Sequence, residues 1–555
     1  MLHYNKISKT LLYSFIALGL PLTCTPTKAS EKNLPQVQRV SFPKDTINIK
    51  DFGAKNDGQT LNTSAINKAI SAIHKRGGGV VTVPEGIWLT GPLKLQSNVN
   101  LHVKQSAVIL FTDDFNEYKL EQSNWEGEPA WRNESPISGK NLENIAITGA
   151  GVIDGNGGAW RMVKKFKMTN AQWAKLIKSG GVVDEKNDIW YPSESAYKGS
   201  KTNNAGRAAE GQKAEDFLDV KDFLRPNLLS LVSCNKILLE GVTFQNSPGW
   251  NVHPLLCENL TVRGVNIRNP WYAQNGDGLD IESCSNVLVE NSSFDVGDDA
   301  ICIKSGRDES GRKRGVPTQN VWIRNNTVFH GHGGFVIGSE MSGGAKNIWI
   351  ENCVFLGTDI GLRFKTTRGR GGIVENIFID NINMIDIPGE AILFDMYYGI
   401  KGDLPKAGEQ ANTNYELPPV TEETPRFQNF SISNITVNGA KKGVFIRGLP
   451  EMPIKDIRIE NINIVAEEGI ELIKTDNLTM KNIKIQVRKS NPLISLDNSR
   501  NIRFHSLTPT KPIETLVLVS GEETENIKFT INQTQEVKKL SKFIHGAAKD
   551  QLQIN

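Results

Sequence analysis

The sequence has little cysteine and little net charge, and both shortages exclude classes of protein. Its 555 residues include only 6 cysteines, and 64 basic side chains nearly balance 61 acidic ones. With a formal net charge of +3 the chain has no strong overall field. We therefore expect no nucleic-acid partner, and any attraction for an anion must be local. Five cysteines without short paired spacings argue against a disulfide framework or a zinc site: Cys234, Cys257, Cys284, Cys302 and Cys353.

Long hydrophobic runs are also scarce, and the one that stands out lies at the N-terminus. Two lysines precede the apolar run Leu11 to Leu22, and Thr27-Lys28-Ala29 fits a small-residue cleavage site. The run is too short for a permanent membrane span. Residues 1–29 are therefore predicted to be a signal peptide of a protein exported to the periplasm or the outside. A lipid anchor at Cys24, which would make the protein a surface lipoprotein, is the alternative.

An asparagine-led pattern recurs along the chain: Asn, an apolar residue, any residue, an apolar residue. Adjacent copies from 235 to 376 are 24, 27, 34, 27 and 29 residues apart. Such a period, with strands, turns and almost no helix, predicts a solenoid. A solenoid with two or three short strands per coil is a parallel β-helix. We expect the Asn side chains to stack in one of its turns, with their amides bonded to the backbone. The copies begin at Asn144, Asn235, Asn259, Asn286, Asn320, Asn347, Asn376, Asn429, Asn477, Asn501 and Asn526.

A solenoid can exceed the usual single-domain size of about 250–300 residues, because each coil contacts only its neighbours. We predict one β-helix domain over 46–555 after a linker at 30–45, with a helix around Ile66–Ile73 covering the first coil. Insertions interrupt the period at about 156–226 and 399–425. The first is predicted to hold a helix from Thr169 to Lys178. Its aromatic side chains form either a local core or sugar-binding platforms: Trp160, Trp173, Trp190 and Tyr191.

Six five-residue segments share a strand pattern in which the second and fourth residues are apolar and so point inward. The alternate side chains point outward. Polar residues recur at these outward positions on consecutive coils, where a merely solvated sheet would need no particular type. The segments begin at Gly278, Ala300, Gly334, Gly361, Ala391 and Gly443, and the outward set is Asp280, Lys304, Arg363, Lys365 and Asp395.

Three carboxylates, Asp277, Asp298 and Asp299, precede two of these strands. Like charges this close raise one another's pKa and keep one group protonated near neutral pH. A protonated acid beside an ionised base is what glycoside hydrolysis requires, and a separation of roughly 6.5–9.5 Å would admit a water and invert the anomeric centre. Asp277 and Asp299 could then hold the water while Asp298 protonates the leaving oxygen. A simple turn is the structural alternative for Asp298-Asp299.

Further along the chain lie side chains that could complete such a site. His332, between two glycines, could bond to a carboxylate and tune it. Arg363 and Lys365 suit a sugar that bears a carboxylate, although two solvated charges on a strand would look the same. Tyr397 or Tyr398 could close the site.

These residues resemble the four motifs of the polygalacturonase family of glycoside hydrolases. The resemblance spans about residues 46–490 and implies an all-β, right-handed parallel β-helix that hydrolyses α-linked galacturonic acid in pectin with inversion and without a metal or other cofactor. By motif match Asp298 is the general acid, Asp277 and Asp299 are the bases, and His332 supports the acid. Substrate is expected to contact Asn275, Lys304, Arg363, Lys365, and Tyr397 or Tyr398. The motifs are Asn275-Gly276-Asp277, Gly297-Asp298-Asp299, Gly331-His332-Gly333 and Arg363-Phe364-Lys365.

The insertion at 156–226 and the basic loop from Arg307 to Arg314 resemble features of exo-acting members. We therefore predict release of single galacturonate units from the non-reducing end of homogalacturonan or oligogalacturonides. Hydrolysis of another pectic linkage, of the rhamnogalacturonan type, is one alternative. A lyase on the same solenoid, which would need a base near C5 and usually Ca²⁺, is a second, and a non-catalytic binding solenoid is a third. Nothing in the sequence indicates an oligomeric state.

Overall fold

The computed structural model describes residues 34–402, 404–409, 417–532 and 537–555. Residues 35–555 form one compact unit. The predicted signal peptide at 1–29, the alternative anchor at Cys24 and the start of the predicted linker lie outside the described residues. Within the described ranges, no helix has the length and apolar character needed to cross a bilayer.

Successive coils add parallel strands to three sheets, here called A, B and C, which together make a parallel β-helix. Sheet A contains the strands Leu93–Lys94, Ile137–Lys140, Leu229–Val232, Val252–Leu255, Leu279–Glu282, Ile301–Lys304, Phe335–Ile337, Leu362–Lys365, Ile494–Asp497, Ile513–Ser520 and Val537–Ile544. Sheet B contains Thr46–Asn48, Gly79–Val83, Val99–Val103, Glu143–Gly149, Asn235–Glu240, Glu258–Arg263, Ser285–Glu290, Thr318–Arg324, Thr475–Val487, Arg500–Pro509, Glu525–Ile531 and Leu552–Ile554. Sheet C contains Gly86–Thr90, Ala107–Phe111, Val152–Asp154, Thr243–Gln245, Asn266–Arg268, Ser293–Asp295 and Thr327–His330. Four later strands run on from one sheet into the next: Ala345–Leu356, Ile373–Asp395, Arg426–Arg447 and Ile454–Ile473. The second halves of Thr475–Val487 and Arg500–Pro509 likewise continue from sheet B into sheet C.

The register predicted for sheet A is confirmed. Leu279 pairs with Ile301, and the same column continues through Phe335 and Leu362, then through Ile392 to Val444. These apolar side chains are buried in the core between the sheets. The predicted outward side chains therefore do lie on one face of sheet A. Three of them are nevertheless almost fully buried, because insertions cover this part of the sheet: Asp280, Lys304 and Lys365.

The asparagine pattern marks the turn from sheet A to sheet B. Asn320, Asn347 and Asn376 each have φ of 55–58°, a left-handed conformation that asparagine tolerates better than most residues. Each side-chain amide donates to the carbonyl oxygen of the asparagine one coil earlier, at 3.3, 3.3 and 3.0 Å. The expected bond from the amide to the backbone was therefore wrong for these residues. Asn235 does not follow this pattern, because in its coil the residue with the left-handed φ is Lys236.

A second asparagine ladder lies five residues further along, at the turn from sheet B to sheet C. Asn325, Asn352 and Asn381 also have positive φ, and the amide of Asn381 donates to Asn352 at 2.8 Å. The sequence indicates this second ladder, because in several coils another Asn stands five positions after the Asn of the first ladder.

Helices cover the first coil and build the insertion. The predicted first helix is Thr63–Lys75, with its apolar stripe buried on the strands. In the 156–226 insertion, Thr169 caps the helix Asn170–Lys178 together with Gln172. The remaining α-helices of the described residues are Glu194–Lys201 and Asp308–Arg314, so the basic segment expected as a loop is helical. The 3₁₀ helices are Ile49–Phe52, Phe115–Glu117, Gly157–Ala159, Lys165–Lys167, Ala214–Phe223 and Lys549–Gln551.

The aromatic side chains of the insertion form local cores and are not sugar platforms. Trp173 and Trp190 pack with Val163 beside a small antiparallel sheet of Val163–Lys164, Ile189–Tyr191 and Val182–Asp184. Trp160 and Tyr191 are buried as well.

One element has no counterpart in the predictions: an antiparallel hairpin of Leu120–Trp125 and Glu128–Asn133. Its two-residue turn has φ of 49° at Glu126 and 81° at Gly127, the left-handed pair that favours tight hairpins. Part of the insertion supports the hairpin, because Phe217 and Val220 pack with Leu120 and Trp131. The hairpin projects over sheet A beside the three carboxylates, as its contacts there show.

The two ends of the described chain also differ in part from the expected picture. Within the predicted linker, the Ser41 amide donates to Asn144 Oδ1 at 2.9 Å, so this segment is bound to the first asparagine ladder. At the other end, residues 500–555 add further strands to the solenoid, and Val537–Ile544 is a strand of sheet A. They are therefore more than a cap on the last coil.

Candidate active site

The three carboxylates meet where the chain enters sheet A on two neighbouring coils. Asp277 lies two residues before Leu279, and Asp299 lies two residues before Ile301. Because Leu279 pairs with Ile301, both aspartates occupy the same position on consecutive coils. One oxygen from each of Asp277, Asp298 and Asp299 lies within 4.8 Å of the other two. The structure thus brings together the three groups that the sequence pattern placed on one face.

Two cations from sheet A hold Asp299 ionised. Lys365 Nζ lies 2.7 Å from its Oδ2 and Arg363 Nη1 lies 3.1 Å from its Oδ1. The Asp299 side chain is 1 % exposed. Burial opposes its ionisation, but Lys365 and Arg363 outweigh burial and hold the pKa of Asp299 well below its ordinary value. Asp299 is therefore a carboxylate under all ordinary conditions.

His332 lies against Asp298, as the sequence suggested. Its Nδ1 is 3.2 Å from Asp298 Oδ1. Burial works to raise the pKa of Asp298, but the bond to His332 lowers it below the ordinary value overall. The same bond raises the pKa of His332, against the opposing effect of burial. The bond therefore favours the charged pair, with the proton on the imidazole and Asp298 as the carboxylate.

Asp277 is the carboxyl group that keeps its own proton. It is 3 % exposed, and its Oδ1 is buried without a hydrogen-bond partner in the part of the chain that the structure describes. Burial, and then the charge of Asp298, raise the pKa of Asp277 well above its ordinary value. The environment thus favours the protonated forms of Asp277 and His332. The motif match instead assigns the acid role to Asp298, which receives its proton only from a neighbour.

The nearest oxygens of the carboxylates approach one another more closely than the separation between whole carboxyl groups that the chemical argument used. Inversion was tied to a separation of roughly 6.5–9.5 Å, whereas roughly 5–5.5 Å is the usual spacing of retaining enzymes. The closest oxygens here lie within 4.8 Å. Spacing alone therefore does not predict inversion for this chain.

Asn275 is fixed in place by a buried arginine. Arg225 donates from Nη2 to Asn275 Oδ1 at 2.9 Å and from Nη1 to the carbonyl oxygens of Gln274 at 2.8 Å and Pro248 at 2.9 Å. The loop that leads into Asp277 is thus held by one guanidinium. The role of Arg225 could not be read from the residue pattern alone.

Beside the carboxylates lies a cavity of about 470 Å³, within the usual range for small-molecule sites of roughly 300–1,000 Å³. Four cationic side chains line its wall beside the acidic ones: Lys304 and Lys365 come from sheet A, and Arg307 and Arg370 come from covering segments. Lys304 Nζ lies 3.0 Å from Glu340 Oε2 and is positioned over the ring of Trp250. Glu340 and Arg370 were missed by the sequence analysis, since they lie outside the strand pattern, and Arg307 was noted there only as part of the basic loop.

Of the two candidate tyrosines, Tyr398 lines the cavity. Lys365 Nζ lies 4.8 Å from the centre of its ring, a cation–π distance. Tyr397 is buried instead, with the guanidinium groups of Arg368 and Arg447 at 5.4 and 5.5 Å from its ring centre. Asp395 belongs to this support as well, because both of its oxygens accept from Arg447.

The hairpin closes one side of the cavity. The Arg307 amide donates to the Gly127 carbonyl oxygen at 3.2 Å, and Arg307 Nη1 lies 3.3 Å from Glu126 Oε2. A Cβ on Gly127 would lie 2.8 Å from the Arg307 nitrogen, so the turn needs glycine both for its φ and for this approach. Glu126 and Arg307 form the wall at that side.

The arrangement suits acid–base chemistry on an anionic sugar. It offers an ionised carboxylate, a carboxyl group, and a His–Asp pair that shares a proton. Several cations face the cavity and can bind a carboxylate. A divalent cation would find few free oxygens in the cluster, because both oxygens of Asp299 are already bound to Arg363 and Lys365.

Comparison with known proteins gives concordant matches. The sequence profile of Glycosyl hydrolases family 28 matches residues 203–413, and that of Rhamnogalacturonase A/epimerase, pectate lyase-like, matches residues 46–213. The chain is 29 % identical over 479 residues to an exo-poly-alpha-D-galacturonosidase of Dickeya chrysanthemi, covering 82 % of this chain and 74 % of the relative. It is 28 % identical over 435 residues to a probable polygalacturonase of Vitis vinifera, covering 77 % and 75 %. The crystal structure of a hyperthermoactive exopolygalacturonase from Thermotoga maritima is similar with a TM-score of 0.66 and 33 % identity, covering 81 % of this chain and 93 % of that one.

Proposed function

Because this chain belongs to the polygalacturonase family of glycoside hydrolases and is a pectin-degrading enzyme, we propose that it releases single galacturonate units from the chain ends of homogalacturonan or its oligosaccharides. The observation that carries the proposal is that the hairpin closes one side of the cavity beside the three carboxylates. Residues 46–555 act as the single catalytic domain, with the insertions shaping the site.

Closure of the cavity supports exo action. An enzyme that cuts inside a polymer needs a groove open at both ends, whereas here the hairpin tip meets Arg307 on one side. Tyr398 and Ile400 lie on the cavity wall as well. The wall leaves room for a terminal sugar, and its cations neutralise that sugar's carboxylate. Similarity to two exo-acting proteins points the same way.

The catalytic roles follow from which groups of the site favour the protonated form and which favour the ionised form. Asp299, ionised by Lys365 and Arg363, is the base that takes a proton from the attacking water. Asp277 holds that water from the other side. Asp298 protonates the leaving oxygen with the proton that it shares with His332, which moves to the carboxylate when the anionic sugar enters and raises the pKa of Asp298. Asn275, Lys304, Arg363, Lys365 and Tyr398 bind the substrate.

Inversion is part of the proposal and rests on the number of carboxylates. With two groups to hold the water and a third to protonate the leaving group, no aspartate needs to form a bond to the sugar. Asp299 is also poorly placed as a nucleophile, because Lys365 and Arg363 occupy both of its oxygens.

Export completes the proposal, supported by the sequence of residues 1–29. A polymer of the plant cell wall is reached from the periplasm or the outside, and cleavage after Ala29 fits the pattern. Attachment of a lipid to Cys24 is the alternative form of the same export. The five cysteines within the described residues are buried free thiols.

Product analysis tests the exo claim. Polygalacturonate is digested and sampled while only a small fraction of the bonds is cleaved. The expected early product is monomeric galacturonate, with the viscosity of the polymer falling slowly. Mixed oligomers without monomer, with a rapid loss of viscosity, would show cleavage within the chain and would refute exo action.

The hairpin offers a sharper form of this test. Replacing Arg307 with Ala removes the ion pair to Glu126 and opens the wall. The variant should yield some oligomers beside the monomer. Lys489→Ala, far from the cavity on a surface ion pair with Glu468, serves as the control and should keep the wild-type product pattern.

A further inference from the structure

A second cavity, of about 900 Å³, lies on the outer face of sheet C. Its wall includes Arg268, Trp271, Tyr272 and His330. Trp271 is 56 % exposed, which is unusual for so large an aromatic side chain. None of these residues belongs to the motifs or takes part in the chemistry described above.

The charges in this cavity leave one cation without a partner. Asp154 accepts from Gln245 at 2.8 Å and from Asn246 at 3.1 Å, and Asp295 accepts from His330 at 2.8 Å. Arg268 is exposed, and in the described part of the chain its guanidinium has neither an ion pair nor a hydrogen bond. The acids are thus satisfied within the protein, whereas Arg268 is free to bind an anion.

Lys167 adds a second positive charge at the same place. Its Nζ donates to the Trp271 carbonyl oxygen at 3.4 Å and lies 5.9 Å from the centre of the Trp271 ring. Burial lowers the pKa of Lys167, and the charges of Asp298 and Asp359 oppose that effect. Lys167 therefore places its ammonium beside Trp271, at the edge of the cavity.

The loop that lines this cavity is also continuous with the active site. Trp271 and Tyr272 are followed within the same loop by Asn275 and Asp277. Gly297, directly before Asp298, packs so closely on this loop that a Cβ would lie 2.6 Å from the Pro270 carbonyl oxygen. The His332 side chain, which contacts Asp298, is 38 % exposed, so the active-site cavity is open to solvent on that side. The hairpin closes its other side.

From these observations we propose that the cavity beside Trp271 is a second carbohydrate site, which binds a galacturonate unit of the departing pectic chain through Arg268 and Lys167 and by stacking on Trp271. The proposal rests on the exo function proposed above, because a terminal sugar in a closed pocket forces the remainder of the chain out past Asp298. An exposed indole provides an apolar face for a sugar ring, and the two cations recognise its carboxylate. The site makes the enzyme prefer long substrates to short ones.

Kinetics on substrates of two lengths test the site. The variants Arg268→Gln and Trp271→Ala are assayed on polygalacturonate and on digalacturonate. We expect the ratio of kcat/KM for the long substrate to that for the short one to fall about tenfold, equivalent to one lost charge-assisted contact. The fall should come from a higher KM for polygalacturonate. A ratio within twofold of the wild type in both variants overturns the proposal.

Matched controls separate the site from general effects of substitution. Trp322→Ala removes a partly exposed tryptophan on sheet B, and Arg503→Gln removes a cation near the far end of the solenoid. Both should keep the wild-type ratio. Were they to lower it as much as Trp271→Ala and Arg268→Gln, the effect would not belong to this cavity and the proposal would fail.

Binding without turnover distinguishes this proposal from the proposed function. Titration calorimetry with tetragalacturonate is carried out on Asp298→Asn and on Asp298→Asn combined with Trp271→Ala. We expect the second protein to bind about tenfold more weakly, and equal affinities overturn the site. If the wild type released no galacturonate, the exo function would fail on its own, and the titration would still decide whether the cavity binds uronate chains.

Discussion

Removing the Lys365 amine should destabilise the protein and show how strongly the site depends on paired charges. Lys365 Nζ and Asp299 Oδ2 are 2.7 Å apart, with side chains 6 % and 1 % exposed. At that distance two unit charges attract by about 6 kcal/mol for an effective dielectric constant of about 20. Breaking a buried pair costs about 3–5 kcal/mol. Because Arg363 still holds Asp299, we expect Lys365→Met to lower the free energy of unfolding by about 3 kcal/mol, the lower end of that range.

The assay is a double-mutant cycle with Lys365→Met, Asp299→Asn and both together, measured by denaturant unfolding at pH 7 and pH 3. The double variant should recover at least about 1.5 kcal/mol relative to the sum of the single ones, as expected for directly coupled residues. Because the folded pKa of Asp299 is lowered, its contribution is complete above the unfolded carboxyl pKa of about 3.9 and is lost as the pH falls through the folded value. The cost of Lys365→Met should therefore be larger at pH 7 than at pH 3.

An additive cycle, or an equal cost at both pH values, would refute the reasoning. The exposed amine of Lys489 provides the control, since Lys489→Met removes a surface pair with Glu468 and should change the stability far less.

Two further predictions concern the chemistry. Proton NMR of the first product released from an α-linked galacturonan should show the β anomer, as inversion demands; the α anomer would indicate retention. In His332→Gln the shared proton has only the Asp298 carboxyl to occupy. The pH above which activity is lost should therefore fall by roughly 2 units. The sign follows from the raised pKa of His332: the acid must be protonated, and it loses its proton as the pH rises through the pKa of the pair. An alkaline limb at the wild-type pH would contradict that role.

Much of the fold follows from the sequence because each strand repeats a local rule. Leu279 and Ile301 point inward in the same register since both sit in strands of period two with one buried face. The same register fixes Asp277 and Asp299 on neighbouring coils, so the meeting of the carboxylates was predictable. Similarly, the left-handed turn at Asn347 recurs in each coil because asparagine tolerates that conformation.

The covering segments could not be predicted in the same way, because their positions depend on contacts distant in sequence. The hairpin meets Arg307 across 181 residues, counted from Glu126. The turn at Glu126-Gly127 offers only a weak signal, since Glu is a rare choice for positive φ. The burial of Lys304 and Asp280 depends on this cover. The packing of Tyr397 against Arg368 and Arg447 likewise arises from tertiary contacts that no periodic pattern encodes.

The account depends on one claim, that two neighbouring coils bring Asp277, Asp298 and Asp299 into a single hydrolytic site. Initial rates of galacturonate release by Asp298→Asn test it most directly, with Asp386→Asn as the matched control, because Asp386 is exposed with a left-handed φ of 53° that asparagine also accepts. The account predicts a fall in kcat of about 10²–10⁴-fold for Asp298→Asn, as for the loss of a general acid, and a wild-type rate for Asp386→Asn. A rate for Asp298→Asn within twofold of the wild type would contradict it.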